Sequence, residues 1–398
     1  MDAAAMNGML DDFAVIGASE SDDEVFARYH AQVIQGLLGP IAPYYGDPEE
    51  KDPERRKMAD SVQEIMINGP DEIYVELSGK LTRLPGASFG EPENLTALAR
   101  AILQYAGKRL DPNDLSIEAR TPEKHRVHIV QAPAARPGLS MAIRKFPKDR
   151  ISLDMLREKG SFSAAAQDYL RVAMEQRRNL LVSGGTGSGK TTILNALSEM
   201  IAPDDRVLII EDTTEIRFED DRHVLQLEAQ KPTEHGDGGI SIRDLLKGSL
   251  RMRPDRVIVG ECRAGEALDM VQAMNTGHAG SMSTVHANSP VDCLARVETL
   301  CLMSGVDMPL VALQRQIAAA VEVVVQISRV RGFRRVVEIS EVRGLDPETN
   351  YYQMAPIFTL QPDKDGPNGK SLMWTGEMPT FPELLPEEVR ELTRLWQN

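Results

Sequence analysis

The sequence predicts an α/β protein: a C-terminal domain on a largely parallel sheet, preceded by an α+β domain and a short helical N-terminal extension. Three observations carry this. Short apolar runs at residues 180–183, 207–211 and 257–260 alternate with helical segments, as parallel strands with crossover helices do. A glycine-rich stretch, Gly184 to Thr191, follows the first run and leads into an amphipathic one. Upstream, residues 73–77 and 81–83 are apolar strands separated by Ser78-Gly79-Lys80, which is turn chemistry. The expected divisions are residues 1–56 (acidic lead, helix and linker), 57–150 (α+β), 151–345 (parallel sheet) and 346–398 (tail).

In order along the chain, residues 1–20 read as a loose acidic lead. Ser21-Asp22-Asp23-Glu24 matches a capping box, and Val25, Tyr29, Val33 and Leu37 follow at helical spacing. Gly39-Pro40 should end that helix, and four prolines between 40 and 56 read as a linker. Val62, Ile65, Met66 and Ile67 suggest the end of a helix, and Asn68-Gly69-Pro70-Asp71 a turn. Residues 95–105 are an expected helix; 127–130 and 141–146 are expected strands. Residues 321–328 and 335–342 flank Arg331-Gly332 as a late hairpin. Residues 362–382 read as a loose tail, and 386–396 as a short closing helix.

The chain has 45 Lys+Arg against 60 Asp+Glu, a net charge of −15, so no general nucleic-acid binding is expected. Three cysteines, Cys262, Cys293 and Cys301, are too few for a disulfide framework or a four-cysteine zinc site. The N-terminus lacks a basic n-region, and no apolar run approaches the ~18 residues of a spanning helix. These features point to a cytoplasmic protein able to dock on membrane partners.

Gly184-Gly185-Thr186-Gly187-Ser188-Gly189-Lys190-Thr191 fits G-x-x-x-x-G-K-[ST] in full, in its required strand–helix context. Glycines let backbone N–H groups converge on phosphate oxygens, and the helix start adds a favourable dipole. Lys190 is placed to reach the outer phosphates and the Thr191 hydroxyl to ligate Mg²⁺, with Thr192 beside it. ATP and Mg²⁺ are therefore the expected cofactors. Two further apolar strands end in acids, at Glu211-Asp212 and at Glu261, where parallel sheets bind ligands. Thr276 to Asn288 holds His278 and His286 among small hydroxyl residues, without zinc spacing, which suits contact with phosphate.

In this order, the Walker A loop Gly184–Thr191, an aspartate box Ile210-Glu211-Asp212-Thr213-Thr214-Glu215, a Walker B at Ile258-Val259-Gly260-Glu261 and a histidine box from Thr276 to His286 resemble the secretion-superfamily ATPases of type II and type IV secretion, type IV pili and Tad pili. Residues 250–263 and 272–278, with 66–70 and 143–146, are most similar to the CpaF-like ATPase of Tad (Flp-type) pili; type IV secretion and conjugation ATPases would share the catalytic residues. Residues 116–125 and the chain after about 345 depart from the family pattern. The resemblance implies a RecA-like P-loop domain, a hexameric ring peripheral to the inner membrane, and polytopic pilus platform proteins as partners. It gives Glu211 the attacking water and Glu261 the Mg²⁺ shell, and it makes Lys190 and His286 catalytic. His278 then joins the nucleotide contacts. Arg120, Arg126 and Arg144 become candidates to cover a neighbouring subunit's nucleotide, Arg144 and Arg120 most strongly. Arg251 and Arg263 flank Walker B and would face phosphate or pair with Glu211. The four arginines of residues 328–335 read as a solvated hairpin tip.

Overall fold

The structure is a computed structural model and describes residues 22–396 apart from 48–49, 78–79, 147–150, 219–220, 231, 233–237, 365 and 367–368. The acidic lead, Ser21 of the capping box and the Ser78-Gly79 turn lie outside these residues. The chain forms two compact units, the first ending at Asp149 and the second beginning at Arg150.

In the first unit, six strands form one antiparallel sheet: β1 (Val62–Asn68), β2 (Ile73–Leu77), β3 (Lys80–Arg83), β4 (Ser116–Arg120), β5 (Arg126–Gln131) and β6 (Leu139–Arg144), ordered β3-β2-β1-β6-β5-β4. Helices α1 (Asp22–Leu37), α2 (Pro53–Ser61) and α3 (Pro92–Tyr105) belong to the same unit, with single helical turns at Gly39–Ile41 and Ala42–Tyr45. Residues 62–67 are a strand rather than a helix end. Val62, Ile65 and Ile67 are buried, and β1 pairs on both edges, with β2 and β6. The proline-rich segment is not a free linker either. Ile34 and Leu38 from α1 and its exit, with Ile41 and Tyr45 after them, are at most 1% exposed in the same core as Ile65 and Leu98.

The second unit holds a nine-stranded sheet ordered β15-β14-β13-β12-β7-β11-β10-β8-β9. Six strands are parallel: β7 (Leu180–Gly184), β8 (Val207–Glu211), β9 (Val224–Glu228), β10 (Arg256–Val259), β11 (Met282–Val285) and β12 (Val323–Val330). β7, β8, β10 and β11 are buried along their whole length, which explains their continuous apolar runs. Alternate residues serve two cores: Leu180 and Val182 one, Leu181 the other. Helices α4 (Leu153–Glu158), α5 (Ala164–Glu175) and α6 (Lys190–Ser198) pack on the first face. Helices α7 (Ile242–Ser249), α8 (Glu266–Asn275), α9 (Pro290–Leu302) and α10 (Leu310–Ala320) pack on the second.

The expected loose tail is built into this sheet. β13 (Phe333–Leu345), β14 (Tyr352–Pro362) and β15 (Lys370–Trp374) extend it antiparallel, and α11 (Pro386–Leu395) closes the first core. Tyr169, Phe358, Phe381 and Trp396 form one aromatic cluster, with Phe358 and Trp396 centroids 5.2 Å apart. Burying those rings outweighs the polar composition that surrounds them. Among the described residues, no helix is long and apolar enough to cross a membrane.

Candidate functional site

The loop between β7 and α6 is shaped by two glycines, one set by close approach and one by backbone conformation. A Cβ on Gly184 would lie 2.5 Å from the carbonyl oxygen of Ile327 on β12. Gly189 takes φ +100, left-handed backbone at the helix entry. No side chain caps α6 there, so its first N–H groups remain donors for an anion. Lys190, 8% exposed, starts the helix. Its Nζ donates to the carbonyl of Gly185 at 3.1 Å and stands 3.1 Å from His286 Nε2. Burial lowers its pKa, while the Glu261 carboxylate works the other way.

The same His286 nitrogen is 2.7 Å from Glu261 Oε1. Three elements thus converge at the carboxyl edge of the sheet: the start of α6 after β7, and the ends of β10 and β11. Burial and then Lys190 lower the His286 pKa, favouring the neutral ring. A neutral ring nitrogen either donates or accepts, so Lys190 and Glu261 compete for it. Thr284 sets the register: its hydroxyl donates to Gly260 O at 2.8 Å, and its carbonyl accepts from Cys262 N at 3.0 Å. Neither Thr284 nor Gly260 carries a signal in an isolated sequence beyond proximity to an acid or a histidine.

Glu211 has a different setting. It is 4% exposed, and its Oε1 accepts backbone N–H bonds from Glu215 at 3.0 Å and Ile216 at 3.2 Å. Its side chain lies against Gly260, where a Cβ would come 2.9 Å from Glu211 Cγ. Glu211 therefore clamps the aspartate-box loop, and the neighbouring Glu215 is only partly buried. Arg263 pairs with Glu261 Oε2 at 2.6 Å and Asp212 Oδ2 at 2.7 Å, not with Glu211.

A hard cation such as magnesium takes oxygen ligands, and the Thr191 hydroxyl and the Glu261 carboxylate are the oxygens that could supply them. Glu261 Oε1 is buried without a well-formed hydrogen bond despite the nearby His286 nitrogen, so an acceptor is available there. Among the described residues no group of three or more His, Cys, Asp or Glu side chains is arranged to hold a metal. Magnesium completed by substrate phosphates and water needs no such cage.

A family model described as "Type II/IV secretion system protein" matches residues 47–344. The chain belongs to that family. The type IV secretion system protein PtlH of Bordetella pertussis is 34% identical over 311 residues, covering 71% of this chain and 91% of PtlH. The conjugal transfer protein TrbB of Rhizobium radiobacter is 32% identical over 307 residues, covering 76% of this chain and 90% of TrbB. The solved structure of the ATPase DotB of Yersinia pseudotuberculosis matches with a TM-score of 0.53 and 19% identity, covering 75% of this chain and 81% of that one, a likeness of fold.

Other site expectations for this type II/IV secretion system protein fall elsewhere. His278 lies before the amino-terminal end of β11, the end opposite His286. There its Nδ1 is 3.3 Å from Ala273 O, and the nearby Gly280 N–H is bound by Asn179 at the start of β7. The strand itself separates it from the phosphate loop. In the first unit, Arg120 faces Arg126 across β4–β5, and Arg126 faces Arg144 across β5–β6. Directly opposed residues share a face, so the three expected arginines form one cross-strand row. Arg251 is exposed, with no bond to the site. All three cysteines are free and buried, and burial pushes each thiol up to about 12, which favours the neutral thiol.

Proposed function

We propose that this secretion-system protein is a Mg²⁺-dependent ATP hydrolase with a RecA-like motor domain, driving a type IV secretion or conjugation apparatus from the cytoplasmic face of the inner membrane. The observation that carries the reading is the meeting of Lys190, His286 and Glu261 at the end of the parallel sheet. Phosphoryl transfer needs positioning and charge neutralisation more than covalent chemistry, and this set supplies both. The loop N–H groups and Lys190 hold the phosphates. Thr191 and Glu261 would hold Mg²⁺, which would supply charge neutralisation at the phosphates. Glu211 was expected to orient the attacking water. With its carboxylate engaged by backbone, the loop it clamps offers Glu215 as the second candidate.

The names of the identified relatives, a type IV secretion protein and a conjugal transfer protein, support that apparatus class. The second reading is a Tad/Flp pilus assembly motor, favoured by the wording Arg253-Pro254-Asp255-Arg256 and Gly260-Glu261-Cys262-Arg263. Neighbouring genes for a prepilin and two polytopic platform proteins would favour it.

Ring assembly, most simply a hexamer, is part of the proposal. The arginine row is its support: Arg126 pairs with Glu118 and Arg144 opposes Glu64 within the chain, and three arginines on one face suit a neighbouring subunit's phosphates. Steady-state phosphate release with Mg²⁺ and with EDTA tests hydrolysis; tight ATP binding without turnover would make the chain a nucleotide switch. Mixing inactive Lys190→Ala and Arg144→Ala tests the shared site. Activity should partly return in mixed oligomers, and no recovery in demonstrated mixed oligomers would confine Arg144 to its own chain.

A further inference from the structure

We propose that the hairpin of β12 and β13 forms the nucleoside end of the site, with Arg329 and Arg334 receiving the base and ribose of the nucleotide; this rests on the nucleotide-binding reading above. Direction comes from the sheet. Lys190 leans toward the ends of β11 and β10, where His286 and Glu261 stand, so the outermost phosphate lies on that side. The strand order is β12-β7-β11-β10. A linear ligand anchored at β10 and β11 and cradled after β7 leaves across β7 toward β12.

What it meets there is the solvated hairpin, whose exposed tip is carried on a strand that borders the loop. The last parallel pair is Ile327 with Gly184, and β12 runs on past it to Val330, overhanging the phosphate loop. Arg329 and Arg334 are directly opposed in the hairpin and so share a face. That face borders the loop. Arg329 Nη2 lies 3.5 Å from Gly187 O, and Arg334 Cδ lies 3.4 Å from where a Cβ on Gly189 would sit. The arm is rigidly rooted: Arg335, 4% exposed, donates to Gly160 O at 3.0 Å and to Lys370 O at 2.8 Å.

Carbonyls of a phosphate loop face outward while its N–H groups face the anion, so Arg329 stands outside the phosphate cradle. Two planar guanidinium groups beside it suit a heteroaromatic ring and ribose hydroxyls.

The test measures binding of Mg-ATP and of inorganic tripolyphosphate to wild type, to Arg329→Ala/Arg334→Ala, to the single Arg329→Gln and Arg334→Gln variants, and to Lys190→Ala. Both arginines are exposed, so melting temperatures should match wild type; if the double variant does not fold, the single glutamine variants carry the measurement. The hairpin variants should weaken Mg-ATP by about tenfold, the size of one or two cation–π contacts, with tripolyphosphate held within about twofold. Equal loss of both ligands would show that the hairpin serves the phosphates or the loop, and no loss of Mg-ATP would show that it serves neither; each overturns the inference. If Lys190→Ala retains both ligands, the nucleotide reading itself falls. If Lys190→Ala loses both while the hairpin variants bind normally, only the nucleoside assignment falls.

Discussion

β8 and β10 end alike in sequence, each as an apolar strand running into glutamate, yet the two ends do opposite things with the carboxylate. At β8, Glu211 is turned inward and spends its oxygens on the N–H groups of Glu215 and Ile216. At β10, Glu261 faces charge: Arg263 on one oxygen, His286 near the other, Lys190 one contact away. A strand-end acid is thus a position, not a role. The following loop decides it: where the chain curls back, its N–H groups capture the carboxylate; where it does not, the carboxylate stays available for a cation.

That contrast is sharpened most by Glu261→Gln. Removing the charge should cut phosphate release by about 10²–10³-fold and weaken Mg²⁺-dependent nucleotide binding. Stability should stay within about 0.5 kcal/mol, because the side chain is not a packing element. Glu211→Gln should do the reverse in kind. One backbone N–H would meet an amide NH₂, so denaturant unfolding should show a loss of about 1–3 kcal/mol. Mg-ATP should still bind, with turnover down about tenfold or more as the loop loosens. If both variants lose activity at unchanged stability, the contrast is broken.

Gly260→Ala probes the contact between the two ends. The new methyl would press on Glu211 Cγ, and overpacking of that kind costs about 1–3 kcal/mol. Turnover should fall less than in Glu211→Gln, since every charge remains. Arg263→Ala is the mildest. Its pairs with Glu261 and Asp212 are solvent-exposed on the arginine side, so unfolding should shift by at most about 1 kcal/mol. A stability loss as large as that of Glu211→Gln would mean that the arginine bridge, not the backbone clamp, holds the two ends.

Much of the site was legible because phosphate binding leaves a contiguous signature. Gly184–Thr191 needs fixed glycines and one lysine at fixed spacing, and the strand and helix around it read directly. Glu261 and His286 were legible as residues, but their meeting with Lys190 depends on β11 sitting between β7 and β10, which no local pattern encodes. The arginine row was visible only as three separate residues; the register that aligns them is a tertiary fact. Residues 62–67 misled because a short apolar run has no period of its own, and pairing on both edges decided for strand. The Pro, Gly and Asp of residues 362–382 masked the burial of Phe358, Phe381 and Trp396, whose shared partner, Tyr169, lies far earlier in the chain. The prolines after Gly39 concealed a packed segment, with Ile41 and Tyr45 buried, in the same way.

The most direct test of the central assignment is phosphate release at saturating Mg-ATP by wild type and Lys190→Ala, with melting temperature recorded for each. Lys190 supplies the positive charge inside the loop, so wild type should turn over and the variant should fall by about 10³-fold or more at a matching melting temperature. Near-normal turnover by a folded Lys190→Ala, or none by wild type in the presence of Mg²⁺, would contradict the account.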